Sequence, residues 1–249
     1  MKKGTRLSQA VVLALVASGA LAMGEDLANV VSDRWFKGGD GRETAGCFHI
    51  VRKKSDQQLA PVLLICEFAA VARGKPVSFK MEMLCKDDAW LTPVKLTASG
   101  QGDDEFQTFV ATIDWLKTDT GLTGTLRTTR RGRETTMAIP EHTAEFFALF
   151  DIVCGRPFEK DKVLNLHVLE GTELNLKKDH TLSWVGEEEI HVGDQVVKAH
   201  RFELAQANRR PVQYWVNEKR ELVRVLIDER KEFLLTTEAD AKKVLEAPK

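Results

Sequence analysis

Between Pro76 and Lys86 every second residue is apolar. Val77, Phe79, Met81, Met83 and Cys85 fall on one side, Ser78, Lys80, Glu82 and Lys86 on the other, with Leu84 the exception. A period of two belongs to a strand with one face buried and one wetted. The same period recurs from Cys47 almost to the end of the chain. That pattern confines the chain to antiparallel sheet architecture and argues against a helical bundle.

Residues 61–71 are apolar on both faces and read as a more central strand. A turn around Gly74-Lys75 joins them to 76–86. Further strands are expected over 92–99, 106–113, 121–130, 133–139, 162–170, 172–176, 181–185, 188–192 and 195–204. The chain then ends as a meander over 211–216, 222–227 and 232–236. Gly193-Asp194 fits a tight hairpin turn. Residues 140–153 break the period: Ala144, Phe147, Ala148 and Phe150 recur at helical spacing, and Pro140 and Thr143 suit a helix start. Thr237 and Asp240 suit the cap of a last helix, 238–245. The fold expected is mainly β: a large curved antiparallel sheet, half-barrel-like, with the 140–153 helix on its concave face. A closed barrel is the competing architecture.

The N-terminus has a different character. Lys2, Lys3 and Arg6 precede the apolar run AVVLALVA (residues 10–17), and Ala20-Leu21-Ala22 supplies the small residues a signal peptidase reads. This is the pattern of a secretory signal peptide over 1–22. The run is shorter than the roughly 20 apolar residues a membrane span needs. The organisation expected is therefore a leader at 1–22, a lead-in at 23–46, one β-rich domain at 47–237, and a C-terminal helix and tail at 238–249. The destination is the periplasm or the extracellular space. Removing residues 1–22 takes away three positive charges and changes the formal charge from -1 to 33 − 37 = -4. No basic face dominates, so nucleic acid is not an expected partner.

Four cysteines, Cys47, Cys66, Cys85 and Cys154, include no Cys-x-x-Cys pair, which disfavours a zinc or thioredoxin-type site. Export makes disulfides available, and buried free thiols are the alternative. A turn at Gly74-Lys75 sets Cys66 opposite Met83 and Cys85 opposite Leu64. The two thiols then share a face as a diagonal pair, about 7–8 Å apart. A Cys66–Cys85 bridge there needs a bulge.

The segment 211–224, PVQYWVNEKRELVR, has an aromatic-Trp-Val-Asn strand, a short turn and a Leu-Val-Arg strand. It resembles a late strand pair in a group of exported bacterial proteins of unknown function. Residues 233–237 (FLLTT) resemble the ending of that group, and 44–49 (TAGCFH) its N-terminal strand. The resemblance implies a β-rich body similar to the curved-sheet lipoprotein carriers of the bacterial envelope. This chain has Asn217 where that group commonly has Asp, and it lacks the usual turn glycine. Read from the residues alone, Tyr214 and Val216 share one face, Trp215 takes the other, and Arg224 lies with Leu222 and Leu226.

No catalytic constellation is legible. There is no Gly-x-Ser-x-Gly elbow, no phosphate-binding glycine loop and no His-Glu-x-x-His. His180, His191 and His200 match no zinc spacing. Cys47 and His49 share a strand face, but no third group orients them. Arg127, Arg130, Arg131 and Arg133 cluster around one turn, as a solvated turn or an anion site. No cofactor or metal is indicated. Met81 and Met83 on a strand, with Phe146, Phe147 and Phe150 on the helix, are the candidate lining for a lipid or other apolar ligand. These residues leave three functions open. The first is non-enzymatic binding of a hydrophobic or envelope-derived ligand. The others are an envelope structural or assembly factor that binds other proteins, and a hydrolase with an unrecognised site.

Overall fold

The computed structural model describes residues 29–39, 44–72, 75–101, 109–119, 121–130, 132–171 and 174–246. The leader at 1–22 and Arg131 lie outside the described residues. Among the described residues, fifteen strands form one sheet. They are β1 (Val30–Gly39), β2 (Thr44–Lys54), β3 (Val62–Ala72), β4 (Lys75–Cys85), β5 (Pro93–Gln101), β6 (Phe109–Thr118), β7 (Gly121–Arg130) and β8 (Arg133–Pro140). After these come β9 (Thr143–Glu145), β10 (Leu164–Glu170), β11 (Asn175–Val192), β12 (Gln195–Ala205), β13 (Val212–Asn217), β14 (Leu222–Ile227) and β15 (Lys231–Thr236). Helix α1 is Leu149–Gly155 and α2 is Glu238–Glu246. No helix among the described residues is long and apolar enough to cross a membrane.

The strands run β8 to β1, then β15 down to β9. Strands consecutive in the chain pair with each other, except β8 with β9, and β1 also joins β15. All pairs are antiparallel but β9–β10, which is parallel. The two edge strands, β8 and β9, are consecutive in the chain and separated only by Glu141 and His142. The sheet therefore curls until its ends nearly meet. At the β1–β15 join, a Cβ on Gly38 would sit 1.8 Å from the Glu232 carbonyl oxygen, so only glycine lets those backbones approach. β1 is thus the strand that unites the two halves of the sheet, and the expected lead-in is part of the main body.

Alternation places the core as expected. Phe79, Met81, Met83 and Cys85 of β4 are buried with Leu64 and Cys66 of β3 and Leu96 and Ala98 of β5. α1 lies on this concave face and buries Leu149, Phe150, Ile152 and Val153. The outer face of β2 is buried as well, at Cys47, His49 and Val51, where α2 packs.

Several details differ from the sequence reading. The 140–153 helix is not one helix. His142 has φ 61°, Thr143–Glu145 is extended beside β10, Phe146–Ala148 is one 3-10 turn, and the α-helix begins at Leu149. Thr143 does not cap a helix; its hydroxyl donates to the Pro140 carbonyl at 2.7 Å. Ala144 mimicked helical spacing because it is fully buried on a strand.

The three short strands expected between 172 and 192 are mostly one, β11, bulged between Trp184 and Gly186. A second bulge pairs Val216 with Leu222 and Trp215 with Arg224. Leu222 therefore faces in and Arg224 faces out over Trp215, its cation 4.4 Å from the ring. Asn217 does close the β13–β14 turn, accepting from the Glu221 amide at 2.9 Å. The position without glycine is filled by Arg220 at φ 65°.

Candidate functional site

The β3–β4 hairpin decides the cysteines. Ala72 pairs with Lys75, so Cys66 faces Met81 and Cys85 faces Val62. The expected turn centre was one residue late, which moves the register by two. Cys66 and Cys85 are four residues out of step, roughly 13 Å along the strands. All four cysteines are free, so the Cys66–Cys85 bridge is corrected to two buried thiols. Burial pushes both thiols well above their ordinary range.

Met81, Met83, Phe146, Phe147 and Phe150 do converge, around the segment 146–155 that plugs the curled sheet. Met81, Met83 and Phe150 are at most 1% exposed; their surfaces are taken by neighbouring side chains. Phe150 meets Phe36 and Tyr214 edge-on, at centroid distances of 6.0 Å each. Phe146 and Phe147 are half-buried. Phe147 lies 5.5 Å from Phe48 and 6.1 Å from Phe79, and Phe48 lies 4.6 Å from a half-buried Phe68. Rings at such distances add to burial. Phe68, Phe146 and Phe147 thus form an aromatic rim that is continuous with the core and partly open to water.

The other end of the plug is ionic, and the sequence reading missed it. Arg34 Nη2 and Arg52 Nη1 each donate to one oxygen of Asp151, both at 2.6 Å. Arg34 Nη1 also donates to the Phe150 carbonyl at 3.1 Å and to Cys154 Sγ at 3.0 Å. Arg52 reaches on to Asp87 at 3.0 Å. The Arg34 and Asp151 side chains are 9% and 7% exposed. Such a pair offsets its own desolvation cost only with good geometry and further hydrogen bonds, and both are present. A signal did exist: Arg34 is in phase with Phe36, Arg52 with Ile50, and Asp151 interrupts an apolar helix.

Just before the rim, at the end of β9, sits Glu145, 1% exposed. Its Oε2 accepts from the Phe147 amide at 2.6 Å, so it caps the turn that carries the rim phenylalanines. Burial pushes its carboxyl up to about 8, against the lowering by the amides of Phe147, Ala148 and Phe146. Its Oε1 and the Tyr214 hydroxyl are buried without hydrogen-bond partners among the described residues. Burial also raises Tyr214 well above the usual phenol range.

The remaining candidates are engaged elsewhere. His49 Nε2 contacts Asp33 at 2.9 Å and its Nδ1 contacts Glu67 at 3.2 Å, not Cys47. Burial pushes the Cys47 thiol up to about 11, so it stays protonated and is no nucleophile. His200 stacks on Phe158 at 3.5 Å, His180 is buried and His191 is exposed. Among the described residues, no group of three or more His, Cys, Asp or Glu could hold a metal. Arg127 pairs with Asp114 at 3.1 Å and Arg130 lies over Phe109, so the arginine cluster makes local contacts. A polar recess of about 420 Å3 opens on the outer face near Lys54, Leu63, Glu82, Leu84 and Lys95, on the opposite face of the sheet from α1.

No family model and no curated protein matches the chain. In structure it is similar to a β-barrel-like protein of a domain of unknown function, DUF1849, from Brucella abortus. The identity is 8% and the TM-score 0.47, with 84% of this chain and 96% of that chain covered.

Proposed function

We propose that this is an exported, non-enzymatic binding protein that takes an apolar chain, such as a lipid acyl tail, at the aromatic rim. The carrying observation is that Phe68, Phe146 and Phe147 are half-buried while joined ring to ring with the core. Exposed aromatic surface of this kind costs solvation unless something covers it. Met81, Met83 and Phe150 serve as the packed floor beneath the rim. The leader at 1–22 supports export. Native mass spectrometry of protein purified from the periplasm tests the reading. A co-purified acyl lipid that is lost in Phe147→Asp is expected. A ligand-free wild-type protein that also fails to bind added laurate would overturn it.

A second reading rests on β8. Residues 133–136 are exposed on both faces and pair only with β7 among the described residues. An open edge can accept an extended segment of another envelope protein. A photo-crosslinker at Thr136 that captures no partner in the exporting cell would remove this reading.

A further inference from the structure

On the outer face of the sheet, His49 is 4% exposed and both of its ring nitrogens face carboxylates on different strands. Nε2 meets Asp33 of β1 and Nδ1 meets Glu67 of β3. A carboxylate only accepts, and a neutral imidazole has one N–H. Satisfying both contacts therefore requires the doubly protonated ring. The ring also stacks on Trp35, with centroids 3.9 Å apart and planes 9° apart, and the Lys242 ammonium of α2 lies 5.2 Å from the centroid of that indole.

We propose that His49 is a pH-sensitive latch: its imidazolium ties β1 to β3 across β2 and seats Trp35 under α2, and loss of one ring proton loosens α2.

The groups around it make the charge count. From β1 comes Asp33, from β3 Glu67, from β4 Lys80 and Glu82, and from α2 Lys242 with its partner Glu238. Lys80 reaches Glu67 at 3.5 Å and Glu82 at 3.2 Å, so it is shared and cannot replace a lost imidazolium at Asp33. The Cys47 thiol on the same face of β2 stays protonated because burial raises it, so it contributes no charge. The contact with His49 holds the Glu67 carboxyl below its ordinary range, which means the carboxylate form occupies the site. A neutral ring would leave either Asp33 or Glu67 facing a nitrogen lone pair.

Two measurements on the purified protein test it together. Long-range 15N correlation spectra of the His49 ring should show both nitrogens protonated at pH 5, and one losing its proton as pH rises. Over the same step, amide exchange of residues 238–246, corrected for the intrinsic pH effect, should accelerate about tenfold. His49→Gln, with one donor and one acceptor, should show the fast exchange at every pH. A ring already neutral at pH 5, or α2 exchange that ignores the ring's titration, would overturn the proposal. The wild-type titration decides the matter even if the variant does not fold.

Discussion

At the Phe147 end, the plug meets the sheet through rings that touch at about van der Waals range and leave part of their surface wet. At the Asp151 end, it meets the sheet through one carboxylate clamped by two arginines at 2.6 Å each. Ring contacts are non-directional and tolerate substitution by another apolar body. Buried charge-assisted contacts fix a single geometry, and losing one partner strands the other. One element is thus anchored rigidly at one end and packed by adaptable, non-directional contacts at the other. In that arrangement the ionic end sets where the helix sits, and the aromatic end is the place for the proposed ligand.

The sharpest way to break the contrast is Asp151→Asn. It leaves Arg34 and Arg52 facing each other with no carboxylate between them, and denaturant unfolding should show a loss of about 3–5 kcal/mol. A loss under about 1 kcal/mol would mean that the ionic end is no anchor.

Next comes Glu145, which caps the turn that carries the aromatic end. Its folded-state value is raised, so the unfolded carboxyl ionises first as pH climbs. The stability it contributes is complete below the ordinary carboxylate range and is lost as pH rises towards about 8. Glu145→Gln should remove that decline and gain on the order of a few kcal/mol at pH 8 relative to wild type. At acid pH the two proteins should differ little in thermal unfolding. Glu67 acts in the opposite sense: its value is lowered, so its contribution is present above the ordinary carboxylate range and lost as pH falls below it.

Phe147→Ala removes a half-buried ring and should cost a smaller amount, about 1–2 kcal/mol by chemical denaturation. It should nevertheless abolish binding of an acyl chain, which separates the aromatic end's function from its structural share.

The smallest effect is expected at Arg220, whose cation lies 3.7 Å from the centroid of Phe158, in the loop after α1. Arg220→Gly relieves a positive φ and loses that cation–π contact. Its melting temperature should correspond to a net change within about 1 kcal/mol, with faster amide exchange over residues 156–163.

Local patterns in the chain were legible where one strand has one wet face. β7 was delimited at the residues where it begins and ends, and β4 showed which of its side chains face the core. Patterns failed where tertiary contacts override periodicity. Thr143–Glu145 is buried on both faces, and a three-residue parallel strand of that kind has no period to read. Bulges in β11 and β14 invert the faces of the residues beyond them, and a bulge leaves no trace in alternation. The register of β3 on β4 hinged on a single turn residue.

Met81, Met83 and Phe150 lie in one core with Phe146 and Phe147 packed against it, because the β4 alternation and the 146–155 segment meet on the same face of the sheet. The Arg34–Asp151 pair spans 117 residues, and nothing local announces a contact of that range. Only the presence of charges at core-phased positions hinted at it.

Acyl-chain binding at the rim is tested by a laurate titration of protein labelled at its phenylalanine rings and methionine methyl groups, monitored by NMR. Saturable shifts are expected at Phe68, Phe146 and Phe147, with Met81, Met83 and Phe150 left in place. The absence of saturable shifts at the rim, or shifts centred on the methionines, would contradict it.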